Sequence, residues 1–142
     1  MINTISQAAI NFCSHQMQMD SGLIANHTDS SRYIAYIDIT YTNSEDQSRV
    51  YIACDKNFLQ KITYSMLFEE ESDEETLVDM ILETANLVVG SAKVLASDDD
   101  SMPFSISTPH FEKIAPFDFE YDTINTVSHE DFEMTIAMKD LP

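Results

Sequence analysis

Four residues of one segment could do chemistry together. Asp79, Glu83, Asn86 and Gly90 fall at i, i+4, i+7 and i+11 of residues 74–96, a stretch with no proline and one glycine. At about 100° per residue they form a stripe only about 60° wide. Leu77, Met80, Ile81, Leu87, Val88, Val94 and Leu95 cover one broad face, and Val78, Leu82, Ala85, Val89 and Ala92 cover most of the rest. An ordinary surface helix has a wide polar face rich in Lys and Glu. This narrow slot offers a carboxylate, a carboxamide and a bare backbone between aliphatic flanks. Such a face suits contact with something polar while its sides are covered. The plainer alternative is a row of solvated helix residues.

The spacing extends beyond the helix. Asp79-x3-Glu83-x2-Asn86, then 22 residues, then Pro109, matches the signature of the CheC/CheX/FliY chemotaxis phosphatases: Asp or Ser, three residues, Glu, two residues, Asn, twenty-two residues, Pro. The run from Glu83 to Ala92 also reads like that family's active helix. The chain therefore resembles that family over residues 79–109. The motif appears once, since the N-terminal segment carries Ile10 where Glu would follow Ser6. A single motif on a short chain resembles the CheX type, a homodimer, and departs from the two-motif CheC and FliY types.

The resemblance implies a substrate: the aspartyl-phosphate of a CheY-like response-regulator receiver. An acyl phosphate is already reactive, so a catalyst need only place a water in line with phosphorus and hold it there. A carboxamide can accept from and donate to that water without repelling the phosphoryl group. Asn86 takes that role by the resemblance. Glu83, one turn earlier, would pair with a receiver lysine and fix the helix over the phosphoryl site. Asp79 would support the pair or make secondary contacts. Gly90 would let another backbone come close, or else reflect tight packing inside this protein. Pro109 would be architectural. No metal is expected on this chain, because the receiver carries its own Mg²⁺.

Composition narrows the partners. At 142 residues the chain suits one domain, residues 1–142, long enough for a real core. Seven basic residues against 25 acidic ones give a net charge of −18. Such a chain lacks the cations to neutralise nucleic-acid phosphates or to hold an anionic membrane. A partner with a basic rim is favoured electrostatically. The N-terminus has no basic start followed by an apolar core, and no apolar run approaches the roughly 18 residues of a membrane span. Cys13 and Cys54 are isolated in apolar contexts and read as buried thiols. The expected location is the cytoplasm.

These residues need a scaffold. Periodicity predicts a helix over 4–16 capped by Asn3, a short strand at 23–26, strands at 31–42 and 48–54, and a helix over 56–68 capped by Asp55. The 31–42 strand is partly apolar on both alternating faces, which predicts a strand buried on both sides or central in a sheet. Ser72-x-x-Glu75 reads as a capping box opening the long helix. That helix ends at 97–101. A strand at 104–108 stops at Pro109, and strands at 117–127 and 131–138 follow. This order suits an α+β domain with an antiparallel sheet and helices packed on it. The family resemblance implies the same layering.

Other chemistry finds no support. With only Gly22 and Gly90, no phosphate loop or nucleophile elbow is possible. His15, His27, His110 and His129 show no metal-ligand spacing. Asp98-Asp99-Asp100 lacks the glycine and terminal Glu of a calcium loop. Three readings remain: a phosphatase acting on a phosphorylated receiver, a non-catalytic module that docks on a receiver, and a structural dimer using the same helix as its interface.

Overall fold

Two long strands with apolar residues on both faces set the centre of the molecule. In the computed structural model, which describes residues 1–24, 30–98 and 102–142, β2 is Arg32–Tyr41 and β3 is Gln47–Asp55. They pair antiparallel from Arg32 opposite Asp55 to Thr40 opposite Gln47. The other strands are β1 (Gly22–Ile24), β4 (Phe104–Ile106), β5 (His110–Ala115), β6 (Thr123–His129) and β7 (Phe132–Asp140). The sheet runs β1-β6-β7-β3-β2, and β4 and β5 share the far edge of β2. Every pairing is antiparallel.

Three helices, α1 (Ile2–Met17), α2 (Lys56–Leu67) and α3 (Glu74–Asp98), cover one face. Tyr33, Ala35, Ile37 and Ile39 of β2 meet them, with Val50, Ile52 and Cys54 of β3 and Met134, Ile136 and Met138 of β7. The opposite face is apolar too, which is why β2 reads as buried on both sides. Ile34, Tyr51, Ala53 and Ala137 lie there under Phe117 and Phe119. Tyr51 stacks on Phe119 at 4.8 Å and meets Phe117 edge-on at 5.7 Å. Thus 117–122 is not the start of a strand, as its alternating Phe117, Phe119 and Tyr121 suggest. It crosses the second face and inserts rings, and the strand begins at Thr123.

Pro109 does not end its strand for good. Ile106 lies opposite Ile39, and His110 lies opposite Tyr36. Four steps on this edge therefore face three on β2, so one extra residue is accommodated as a bulge. Ser107 N donates to Asp38 O at 2.9 Å, and Asp38 N donates to Ser107 Oγ at 3.1 Å. Pro109, with no N–H to give, sits in the interruption, where an edge strand tolerates it. Strand β5 resumes at once, a strand absent from the sequence reading.

The caps are partly as expected. Helix α1 begins at Ile2 after Met1 without a side-chain cap, so Asn3 is not its cap. The Asn3 side chain instead accepts from Asn125 Nδ2 at 3.4 Å. Asp55 caps α2: its Oδ1 accepts from Phe58 N at 2.7 Å. Its Oδ2 accepts from Glu133 N at 2.8 Å. One carboxylate therefore ties a helix start to the neighbouring strand. On the second face the fully buried Arg32 pairs with Glu133 and donates to the Ala53 carbonyl at 3.4 Å. Residues 25 and 26 of the expected 23–26 strand, together with 27–29 and Asp99 to Ser101, lie outside the described residues.

Asp55→Ala removes both acceptors while leaving the strand intact. It is expected to destabilise the fold by about 1–2 kcal/mol, a cap loss plus an orphaned strand N–H. Urea unfolding should show the loss as a lower midpoint with an unchanged slope.

Candidate functional site

Helix α3 starts one residue later than the capping box implies. Asp73 is the cap: Thr76 N donates to its Oδ1 at 2.8 Å, and Leu77 N donates to its carbonyl at 3.1 Å. The Thr76 amide holds the Asp73 carboxyl below its usual range. Ser72 is occupied elsewhere. Its N–H donates to Gln60 Oε1 at 2.9 Å, and its hydroxyl donates to Glu69 Oε1 at 3.2 Å. Gln60 Nε2 also donates to Glu69 O at 3.0 Å, so Gln60 pins the acidic connector onto α2. Glu74 and Glu75 then fill the first turn of α3, where the helix end favours negative charge.

The apolar side of α3 is sunk into the protein. Leu77, Ile81, Ala85, Val88, Val89, Ala92 and Ala96 are fully buried. They pack against β2, β3, α1 and α2. By length and composition alone this helix could cross a membrane. Its burial shows it to be the core helix of the domain.

Asp79, Glu83 and Asn86 are all exposed, and Gly90 is half-buried between them and the helix end. The predicted stripe therefore faces outward. Glu83 and Asn86 are separated by about 4.5 Å along the axis, and Asp79 and Asn86 by about 10.5 Å. Among the described residues none of these three side chains makes a hydrogen bond or an ion pair. Asp79 thus shows no contact that orients Glu83 or Asn86. Pro109 lies in the edge-strand bulge of the sheet on which α3 rests, half-buried and with an apolar side chain.

The exposed band is wider than the sequence suggests. Leu87 is 40% exposed and Val94 59%. Both read as core residues by periodicity, yet they stand outside. Lys93 and Ser91 are exposed as well. Counting about 100° per residue, the band runs from Lys93 to Ser91 through roughly 160°. Its two flanks differ. Lys93 and Asn86 lie on one side, and Leu87, Val94 and Ser91 on the other. The second flank borders a groove of about 230 Å³ between α1 and α3, lined by Asn11, Phe12, His15, Leu87 and Ser91 among others. The groove needs the position of α1 to exist, so no local signal marks it. A larger hollow of about 580 Å³ beside α2 is lined by Gln60, Lys61, Tyr64, Glu70 and Phe132 among others, and draws no residue from α3.

The surroundings of the band are acidic. Residues 69–83 carry eight carboxylates and no basic residue. On the sheet's other face the cations are already engaged: Arg49 with Asp38 at 2.8 Å, Lys113 with Asp118 at 3.4 Å, Lys139 with Glu120 at 3.5 Å, and Arg32 with Glu133. Among the described residues no three or more His, Cys, Asp and Glu gather as a metal site would require. Cys13 and Cys54 are buried thiols, and burial pushes both above their usual range.

Gly90 is not forced by packing. A Cβ built there meets nothing within 4 Å. The tight-packing account of this glycine therefore fails within the chain itself. Gly90→Ala is expected to raise stability by about 1 kcal/mol, the helix-propensity difference. A lower melting midpoint in this variant would mean that the site is more crowded than its geometry indicates.

With this geometry in place, the chain can be set beside known proteins. The family described as chemotaxis phosphatase CheX matches residues 35–133. No curated protein matches. Among solved structures, a chemotaxis protein CheX from Desulfovibrio desulfuricans superposes with a TM-score of 0.77 at 15% identity, covering 98% of this chain and 97% of that one. The chemotaxis protein CheX of Vibrio vulnificus gives 0.72 at 17% identity, covering 96% and 97%. A CheX-CheY-BeF3-Mg complex from Borrelia burgdorferi gives 0.68 at 16% identity, covering 97% of each chain. At these identities the superpositions establish the fold, and the family match covers most of the sequence. An antiparallel sheet under three helices, with the Asp-Glu-Asn stripe turned outward on the longest, is thus the form that this sequence gives to its family: the chain belongs to the chemotaxis phosphatase CheX family.

Proposed function

We propose that this protein accelerates hydrolysis of the aspartyl-phosphate of a CheY-like receiver domain and so ends the receiver's signal. The observation that carries the reading is Asn86, an exposed carboxamide with no hydrogen-bond partner among the described residues, one turn from an equally exposed Glu83. A lone solvated amide has no structural task there. Held over a phosphoryl group, its oxygen accepts from a water and its nitrogen donates, which fixes the water in line with phosphorus. The water oxygen bonds to phosphorus as the P–O bond to the aspartyl carboxylate breaks. The aspartate carboxylate is restored on the receiver, inorganic phosphate leaves, and the water's proton passes to phosphate or solvent. The reaction asks no strong base of this chain. It asks no metal either, since the receiver brings Mg²⁺ to its own phosphoryl group.

Glu83 supplies the docking contact in this reading. Its carboxylate reaches a receiver lysine, in a site where the local charge is already negative and a cation is welcome. The exposed Leu87 and Val94 also suit a receiver-binding module without catalysis. An intact amide at Asn86 weighs against that alternative, because a binder needs no water-positioning group. Such a protein works where receivers work, in the cytoplasm. The single motif suits a homodimer of the CheX type.

Decay of phosphorylated receiver, with and without the protein, is the deciding assay. Asn86→Ala is expected to keep the fold and most receiver binding while losing acceleration by on the order of a hundredfold or more. Glu83→Gln should weaken binding and flatten its salt dependence. Wild-type decay rates in the Asn86 variant would remove that residue from the mechanism.

Sedimentation at micromolar concentration is expected to show a species of about twice the 16.1 kDa chain mass. A 16.1 kDa species across that range would refute the homodimer.

A further inference from the structure

The groove beside the stripe gives the site a second half. Leu87 follows Asn86 directly, and its side chain is 40% exposed at the mouth of the hollow between α1 and α3. Phe12 and His15 of α1 form the opposite wall, and Ser91 lies one turn further along α3. Val94, 59% exposed, continues the same flank. Leu87 and Val94 are neighbours on one side of the polar stripe, and together with the groove they make an apolar patch that a partner can cover. At about 230 Å³ the groove has room for a side chain and not for a helix.

Charge selects the occupant. A second copy crossing here antiparallel about Asn86 would set Asp79 opposite Lys93 but Glu83 beside Gly90, so the Glu83 carboxylate would meet no cation. A fitting partner instead presents a cation to Glu83 and an apolar side chain about one helical turn away. We propose that the α1–α3 groove, with Leu87 and Val94, seats an apolar side chain bordering the phosphoryl pocket of the receiver domain, and that this contact sets which receivers are accepted. The inference rests on the receiver reading given above. It adds a specificity surface to it: Glu83 fixes charge, Asn86 fixes water, and the groove fixes identity.

The test uses the full chain and CheY-like receivers of the source cell, both phosphorylated and activated with beryllofluoride. Leu87→Ala keeps a strong helix former at an exposed position. Ser91→Leu fills the groove from its exposed side. Each is expected to raise KM, and the Kd for beryllofluoride-activated receiver, about tenfold, with kcat unchanged. The rise should be independent of salt, unlike that of Glu83→Gln. Unaltered melting would show that both variants are folded. If both bind and turn over as wild type while Asn86→Ala is inactive, the groove proposal falls and the phosphatase reading stands. If the wild type binds no activated receiver, both fall together. Equal losses for every receiver tried would overturn the specificity role.

Discussion

Helix α3 must satisfy two opposed demands, and the rest of the architecture follows from how it does so. Most of its circumference is sunk between sheet, α1 and α2, where Leu77, Ile81, Ala85, Val88, Val89 and Ala92 have no exposure. Burial of that kind fixes rotation about the helix axis, because a turn of one residue would drive a carboxylate into the core. The outward band is therefore aimed by the inward one. Asp73 and the Gln60 bracket fix where the helix begins, and so the height at which Glu83 and Asn86 stand. Side chains held in this way on a rigid element keep their relative positions.

Charge is patterned along the chain. The sheet's second face carries four cations, and each has a carboxylate partner. The connector and first half of α3 hold eight carboxylates without a cation. The eight carboxylates of residues 69–83 thus form one dense acidic block within a net charge of −18. Encounters with a basic-rimmed partner gain from such a field, and it weakens as salt rises.

Much of this was legible in the sequence, and the failures have physical causes. The α3 stripe reads directly because 3.6-residue periodicity is a local property. So does the Asp55 cap, and so does the double burial of β2. The α3 cap was misplaced by one residue because Ser72 and Asp73 both have cap chemistry, and only the contact with Gln60, twelve positions away, removes Ser72 from contention. The rings at Phe117 and Phe119 alternate as a strand would, yet their partner is Tyr51 on the far side of the sheet. Leu87 and Val94 look like core residues, since hydrophobicity cannot tell a buried flank from one left open beside another helix. Strand β5 has no local signal, because a proline stops a strand in isolation, whereas here β2 holds the chain in line across the break.

That break at Pro109 also bears on how these molecules behave when crowded. An open sheet edge is a row of unpaired amides and carbonyls, ready to recruit a foreign strand. On this edge the row is cut twice, by a bulge and by a residue with no amide hydrogen, and β4 offers only three residues before the cut. At the opposite end of the sheet β1 is equally short. Among the described residues, a fibril-like addition would find a template of three residues on β1 and β4, and on β5 one of six residues with its own register shift opposite Ile34 and Ala35. The molecule can thus keep an apolar flank open on its helical layer without inviting its sheet to polymerise.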